Sequence, residues 1–325
     1  MASGAGDGLL QKWLEQHASM ASAGSAEEKA REIRAKLGAH LEEAWGKLSS
    51  RLTKAESMEI LGLCGDALAK SFEDVGEGRK ESKQRNEYVK NMCKGIVEIR
   101  YFTAGVKKID GTGRGTEVEA GIKSEEWYPR CVVAAVALSE IYGDHCYLRE
   151  VINYVSQNVE TKLGTHERGG AKLDECKNID PTALMVGKAV LEDKIEKWRK
   201  EERAKGARAA WRIKQPWTQW PHVCTHSKDE QALREQRQQN RGSLASFVKV
   251  GPGTTSGQTV DLGDILTKEE YNISTETLQK ALSKAIESAS NSGTGGIGAS
   301  INTAELTKTL TKNLEKLSQE KEGKT

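Results

Sequence analysis

Histidine beside cysteine is the first combination in this chain that could do chemistry. HVCTH places His222, Cys224 and His226 at alternate positions, and DHC sets His145 against Cys146. Imidazole and thiolate are the common ligands of zinc, and a Cys–His pair can form a nucleophile with its base. Structural zinc sites usually pair their ligands at both ends, yet no CxxC occurs and the other ligands would come from unpatterned sequence. No local context supports a nucleophile either. A second candidate, the glycine-rich GTGRGTEVEAG from Gly111 to Gly121, imitates a phosphate cradle. A working cradle needs a preceding strand and a Lys-Ser/Thr opening the next helix, whereas here a helical segment precedes and Glu117 and Glu119 follow. It reads as an inter-helix loop. No catalytic residue, cofactor or metal is expected, and the chain reads as a non-enzyme. The triplet at Asn272 to Ser274 matches a glycosylation acceptor, which counts only in a secretory lumen.

The cysteines carry a more definite chemistry. Cys64, Cys93, Cys131, Cys146, Cys176 and Cys224 are even in number, widely spaced and confined to the first 224 residues. Such spacing suits three long-range disulfides or six buried thiols, and one cysteine per expected element favours inter-helix staples. If the helices holding Cys64 and Cys93 fold as an antiparallel hairpin around EDVGEGRKESKQ, the two residues lie at nearly equal distances from the turn. They would then face each other, as a disulfide requires, which makes Cys64–Cys93 the preferred pair. Cys131 and Cys146 bracket one helix and would stand about 20 Å apart along it, too far to bond. Two pairings remain open: 131–176 with 146–224, or 131–224 with 146–176.

The elements that must position these residues are helices. Ile33, Leu37, Leu41, Trp45, Leu48 and Leu52 recur every three or four residues, and Ile60, Cys64, Leu68, Phe72 and Val75 repeat the pattern. Val89, Met92, Cys93, Ile96 and Val97 make a third stripe. SEEWYPRCVVAAVALSEIY, starting at a Ser124 N-cap and apolar from Cys131 to Leu138, predicts a central buried helix. Asp180 and Pro181 predict an N-cap and first residue of a long helix that becomes increasingly basic. The fold class is all-α: a multi-helix bundle stapled by about three disulfides, with a Gly/Ser/Thr-rich C-terminal segment partly helical or disordered. Residues 1–25 read as a flexible N-terminus with a short helix. Residues 26–242 read as the cysteine-containing domain, with a subdivision near 105–125 or 164–180. Residues 243–325 read as a low-complexity linker or tail with helix candidates at Thr275 to Ala289 and Thr303 to Glu320.

Charge adds little direction. The net charge is +2, from 49 basic and 47 acidic residues, so no global field favours nucleic acid or an anionic membrane. Lys194 to Lys214 is locally basic and interleaved with Trp198 and Trp211, a pattern used on single-stranded nucleic acid. Nearby Glu192, Glu196, Glu201 and Glu202 make an ordinary solvated helix face the better reading, and no nucleic-acid partner is expected. QPWTQWPHVC then ends that helix, because Pro216 and Pro221 cannot continue it. In an extended segment Trp217 and Trp220 point to opposite faces, and Cys224 would tie the segment down as a structural clasp. The first twenty residues show no apolar signal region, and the longest apolar run, CVVAAVAL, is too short to cross a bilayer, so the chain as given reads as soluble.

The order of GLLQKWLEQHA, EEWYPRCVVAAVALSEIYGDHC and QPWTQWPHVC, with the cysteines between, resembles the N-terminal region of the SICA antigens. These are the schizont-infected cell agglutination variant antigens of malaria parasites, and the resemblance spans about residues 8 to 224. It implies an exported ectodomain on the surface of the infected erythrocyte, anchored only through a membrane segment absent from this chain. It implies antigenic variation, immune evasion and host-cell adhesion, with host antibodies or an unidentified host receptor as partners. It also implies that a conventional signal peptide is not needed for export. The alternatives are an intracellular helical scaffold or protein-interaction module with reduced cysteines, and nucleic-acid binding through the helix at 194–214.

Overall fold

Sixteen consecutive side chains, Trp127 to Tyr142, are buried, and the molecule is organised around the helix that carries them. In the computed structural model the described residues are 8–18, 24–54, 58–65, 68, 79–108, 115–167, 175–205, 230–248, 261–291, 301, 304–310 and 312. Among the described residues the first helices are α1 (Leu9–Ala18), α2 (Ala26–Thr53), α3 (Met58–Leu63) and α4 (Arg79–Thr103). Strands β1 (Val106–Lys108) and β2 (Thr116–Val118) pair antiparallel, with Val106 opposite Val118. The central helix α5 (Ser124–Tyr142), α6 (Leu148–Glu167) and α7 (Pro181–Ala204) follow. Then come α8 (Glu230–Gln239), α9 (Arg241–Val248), α10 (Leu262–Thr267) and α11 (Thr275–Asn291).

Local chemistry sets the helix starts. Ser25 accepts a hydrogen bond from the Glu28 N–H at 3.2 Å while Glu28 accepts one from the Ser25 N–H at 2.9 Å, a reciprocal cap on α2. Asp180 caps α7 through the Ala183 N–H at 2.8 Å, with Pro181 in the first turn as its spacing predicts. The central helix differs: Ser124 is already helical, Lys123 is the cap residue, and Glu126 reaches back to its N–H at 3.5 Å. The two-stranded ribbon holds the only strands among the described residues. Gly105, at φ 71°, turns the chain out of α4 into it, a backbone conformation that a side chain disfavours.

Helices α1, α2, α4, α7, α9 and α10 all contact α5, and α7 makes the most extensive contact with it. At Gly187 an added Cβ would lie 1.8 Å from Val132 Cγ1, so only a glycine lets the two backbones meet there. Helix α11 lies along α2, burying Leu278, Ala281, Leu282, Ala285 and Ile286 at the spacing of one helical face. The segment read from sequence as a linker or tail therefore supplies core. Leu244, Phe247, Ile265, Leu266, Ile301, Leu306 and Leu310 join the same hydrophobic cluster as α5. Its Gly/Ser/Thr-rich stretches lower the average polarity balance and hide these periodic apolar positions. The N-terminal segment likewise anchors itself, with Leu9, Leu10, Trp13 and Leu14 buried.

Candidate functional site

A buried helix end creates a need for polar partners. The last carbonyls of α5 have no intrahelical donor, and they lie too deep for water to supply one freely. Arginines from α7 meet that need: Arg199 Nη1 donates to the Glu140 carbonyl at 2.5 Å and Arg203 Nη2 to the Ile141 carbonyl at 3.1 Å. Asn240, between α8 and α9, donates to the Gly143 and His145 carbonyls at 2.9 and 2.8 Å. Cations at the C-terminus of α5 also complement its dipole. Arg237 of α8 then pairs with the buried Glu140 carboxylate at 2.9 Å. On the solvent side these groups border a cleft of about 720 Å³ between α7, α8 and α10. Lys188 closes its far wall, donating to the Ile265 and Lys268 carbonyls at 2.8 and 3.2 Å and so capping α10.

Asp144 and His145 sit at the centre of this cluster. Burial alone would raise the Asp144 carboxyl, but Arg203, His145, Arg237 and Arg199 outweigh it and hold its pKa at about 2. Burial drives His145 down to about 3, with Arg203 and Arg199 adding to the shift and Asp144 opposing it. The imidazole is therefore neutral at pH 7, and its 3.8 Å approach to Asp144 is not an ion pair. Tyr88 Oη lies 2.9 Å from His145 Nδ1 and donates to the Cys146 carbonyl at 3.1 Å, while Arg203 Nη2 is 3.4 Å from Nε2. A proton on Nδ1 satisfies all three contacts at once. This chain of bonds joins α4, the end of α5 and α7.

A second buried charge cluster clamps the ribbon. Arg51 lies 3.3 Å from the fully buried Glu98 carboxylate and donates to the Val106 carbonyl. Arg130 pairs with Glu119 at 2.5 Å, donates to the Phe102 carbonyl at 2.7 Å and lies 4.6 Å from the Phe102 ring centroid. Burial pushes the Glu119 pKa up, but Arg130 and Arg51 bring it below its ordinary value. A smaller cavity of about 260 Å³ lies beside Arg130, with Phe102, Lys47 and Glu125 among its walls. Nearby, His17 is buried against Trp13 and His40, and burial, then Lys36 and His40, depress its pKa to about 4.

The family model for the SICA extracellular alpha domain matches residues 7–198, more than half of the chain. The chain belongs to that family. No curated protein and no solved structure matches it. Within the SICA alpha domain two disulfides are formed. Cys64 joins Cys93 with Cα atoms 5.8 Å apart, and Cys131 joins Cys176 with Cα atoms 5.3 Å apart. Cys146 is disulfide-bonded too. The 131–176 bond belongs to the first of the two pairings that the sequence left open; its companion there, 146–224, involves Cys224, which lies outside the described residues. The first staple ties α4 to the end of α3, and the second ties α5 to the turn before α7.

The remaining sequence candidates divide. Cys224, the clasp residues Pro216, Trp217, Trp220 and Pro221, and His222 and His226 lie outside the described residues. His145 is a buried hydrogen-bonding hub, and no group of three metal-ligating side chains occurs among the described residues. In the basic stretch Trp198 packs edge-on against Trp45 at 5.0 Å, and Arg199 and Arg203 turn inward to α5. Residues 206–214 are outside the description. Glu119, read only as an argument against a phosphate loop, is an anchor for Arg130. Sequence reading did not single out Arg51, Glu98, Glu140 or Arg237. The available signal was a charged residue inside an apolar run, as at Glu140 in AVALSEIY. The α5 cap also reaches beyond the matched span, because Arg199, Arg203, Arg237 and Asn240 all follow residue 198.

Proposed function

We propose that this SICA alpha domain is a non-enzymatic ectodomain displayed on the infected erythrocyte, where its exposed helix faces serve antigenic variation and host-cell adhesion. The supporting observation is a sharp division between interior and exterior. Among the described residues Leu61 is the one exposed large hydrophobic, while the disulfides and both charge clusters lie inside. The outer faces carry short-range pairs such as Glu27–Arg31 and Glu43–Lys47, and polar residues such as Asn153, Gln157 and Asn158. Exposed ion pairs of this kind contribute well under about 1 kcal/mol each, so those positions can change with little effect on stability. An immune-exposed protein requires such a surface over a fixed frame. No helix among the described residues is long and apolar enough to cross a membrane, so anchoring would use another segment. Antibodies raised against the oxidised domain should label intact infected erythrocytes, and brief trypsin treatment of the cells should remove the label. Labelling confined to permeabilised cells would overturn the proposal in favour of an intracellular scaffold.

A further inference from the structure

Helix α1 is seated by two histidines, and its seat is intact only while both are neutral. His17, in the last turn of α1, is 7% exposed. Both of its ring nitrogens are shielded from solvent and have no hydrogen-bond partner. The ring lies 4.4 Å from that of Trp13 and 4.9 Å from that of His40 on α2. Adding a proton there would bury a full charge with neither of its N–H groups satisfied. His40 carries a second constraint. An indole can only donate, and Trp13 Nε1 donates to His40 Nδ1 at 3.1 Å. His40 Nδ1 is therefore unprotonated, and a proton on it would set two donors against each other. The other anchors of α1, Leu9, Leu10 and Leu14, are apolar and supply no charge to compensate either proton.

We propose that α1 is an acid-released latch: protonation of His17 and His40 undocks it from α2 and α5 while the helices beneath stay folded. The first cysteine of the chain is Cys64, so no disulfide within the chain holds α1 in place. The charged groups around the two rings do not cancel the effect. Burial opposes a proton on His17, as do Lys36 and His40 of α2, and together they outweigh Glu125 of α5 and leave its pKa at about 4. Glu43 of α2 interacts with His40, while Lys12 and Glu15 of α1 are exposed. A released His17 returns to the ordinary 6.5, so docking is fully stable above that pH and weakens as pH falls toward 4. His17 alone should raise the opening of α1 about twentyfold between pH 7 and pH 5. His40 adds to that rise through the lost Trp13 bond. His145 follows the opposite end of α5 from Glu125, so the acid response of α1 is spatially separate from that of the α5 cap.

The test is hydrogen–deuterium exchange of the oxidised full chain at pH 7 and pH 5, with each amide rate divided by its intrinsic rate at that pH. Amides of α1 should lose protection by about twentyfold or more, and amides of α5 should be better protected than those of α1 at both values. His17→Phe with His40→Gln is the control. The phenyl ring keeps a contact for Trp13 and the glutamine oxygen can still accept from the indole, but neither side chain takes up a proton. The change in α1 should then fall to about twofold or less. His145→Gln should leave the response of α1 as it is in the wild type. A wild-type change in α1 below about threefold would overturn the proposal. So would α1 amides that exchange only together with those of α5, or a double variant that keeps the full response.

Discussion

Acid should destabilise this domain through one buried imidazole, and the size of the effect follows from its surroundings. His145 is enclosed by Tyr88 of α4, by Asp144, and by Arg203 and Arg199 of α7. Its pKa falls from the ordinary 6.5 to about 3. A depressed histidine pKa means that the unfolded chain takes up a proton that the folded chain refuses. Stability is therefore full above pH 6.5 and declines as pH falls, by about 1.4 kcal/mol per unit, until the folded group titrates near pH 3. Between pH 7 and pH 4.5 this group alone should remove about 2.5 kcal/mol, a sizeable share of the stability of about 5–15 kcal/mol typical of a folded domain. Urea unfolding of the disulfide-intact protein at the two pH values, followed by tryptophan fluorescence, measures the loss. His145→Gln should be less stable at pH 7, because Tyr88 loses its partner, but its pH-dependent loss should be smaller by about 2.5 kcal/mol. A histidine NMR titration of the native protein is an independent check, with no His145 transition expected above about pH 4. Equal pH dependence in both proteins, or a His145 midpoint near 6.5, would refute the reasoning.

Other perturbations separate the roles of the remaining groups. Glu98→Leu leaves Arg51 without its buried carboxylate and should cost about 3–5 kcal/mol by urea midpoint. The double variant with Arg51→Met should recover most of that loss, as removal of both charges leaves neither uncompensated. Gly187→Ala should destabilise by about 1–3 kcal/mol despite alanine's better helix propensity, because its Cβ would overlap Val132. Lys188→Met should increase amide exchange across residues 261–268, since the ammonium group holds the α10 carbonyls. A non-reducing peptide map should give Cys64–Cys93 and Cys131–Cys176, with Cys146 linked to Cys224 as the cysteine outside both pairs. A Cys146 peptide joined to any other cysteine would refute that assignment.

The helices were largely legible in sequence because burial leaves a periodic trace. The stripe Ile33 to Leu52 occupies the buried face of α2, and CVVAAVAL is the most enclosed part of α5. Asp180–Pro181 fixed the start of α7 by chemistry confined to neighbouring residues. The Cys64–Cys93 bond is the pair that hairpin symmetry prefers, although Cys64 lies in the turn just after α3 and not within the long helix its apolar stripe predicts. Cys131–Cys176 could not be chosen that way, because the turn before α7 sets their distance and no periodicity records it. Tertiary structure also decided the fate of the charges. Arg199 and Lys200 are adjacent, yet one caps α5 from inside and the other faces solvent, because helix rotation points them in different directions. Glu98 with Arg51 and Glu140 with Arg237 are partners 47 and 97 residues apart, and their attraction depends on a fold that brings distant helices together. By itself the sequence determined what each helix would bury. The meeting of those helices determined which charges became buried and which were left facing an open cleft.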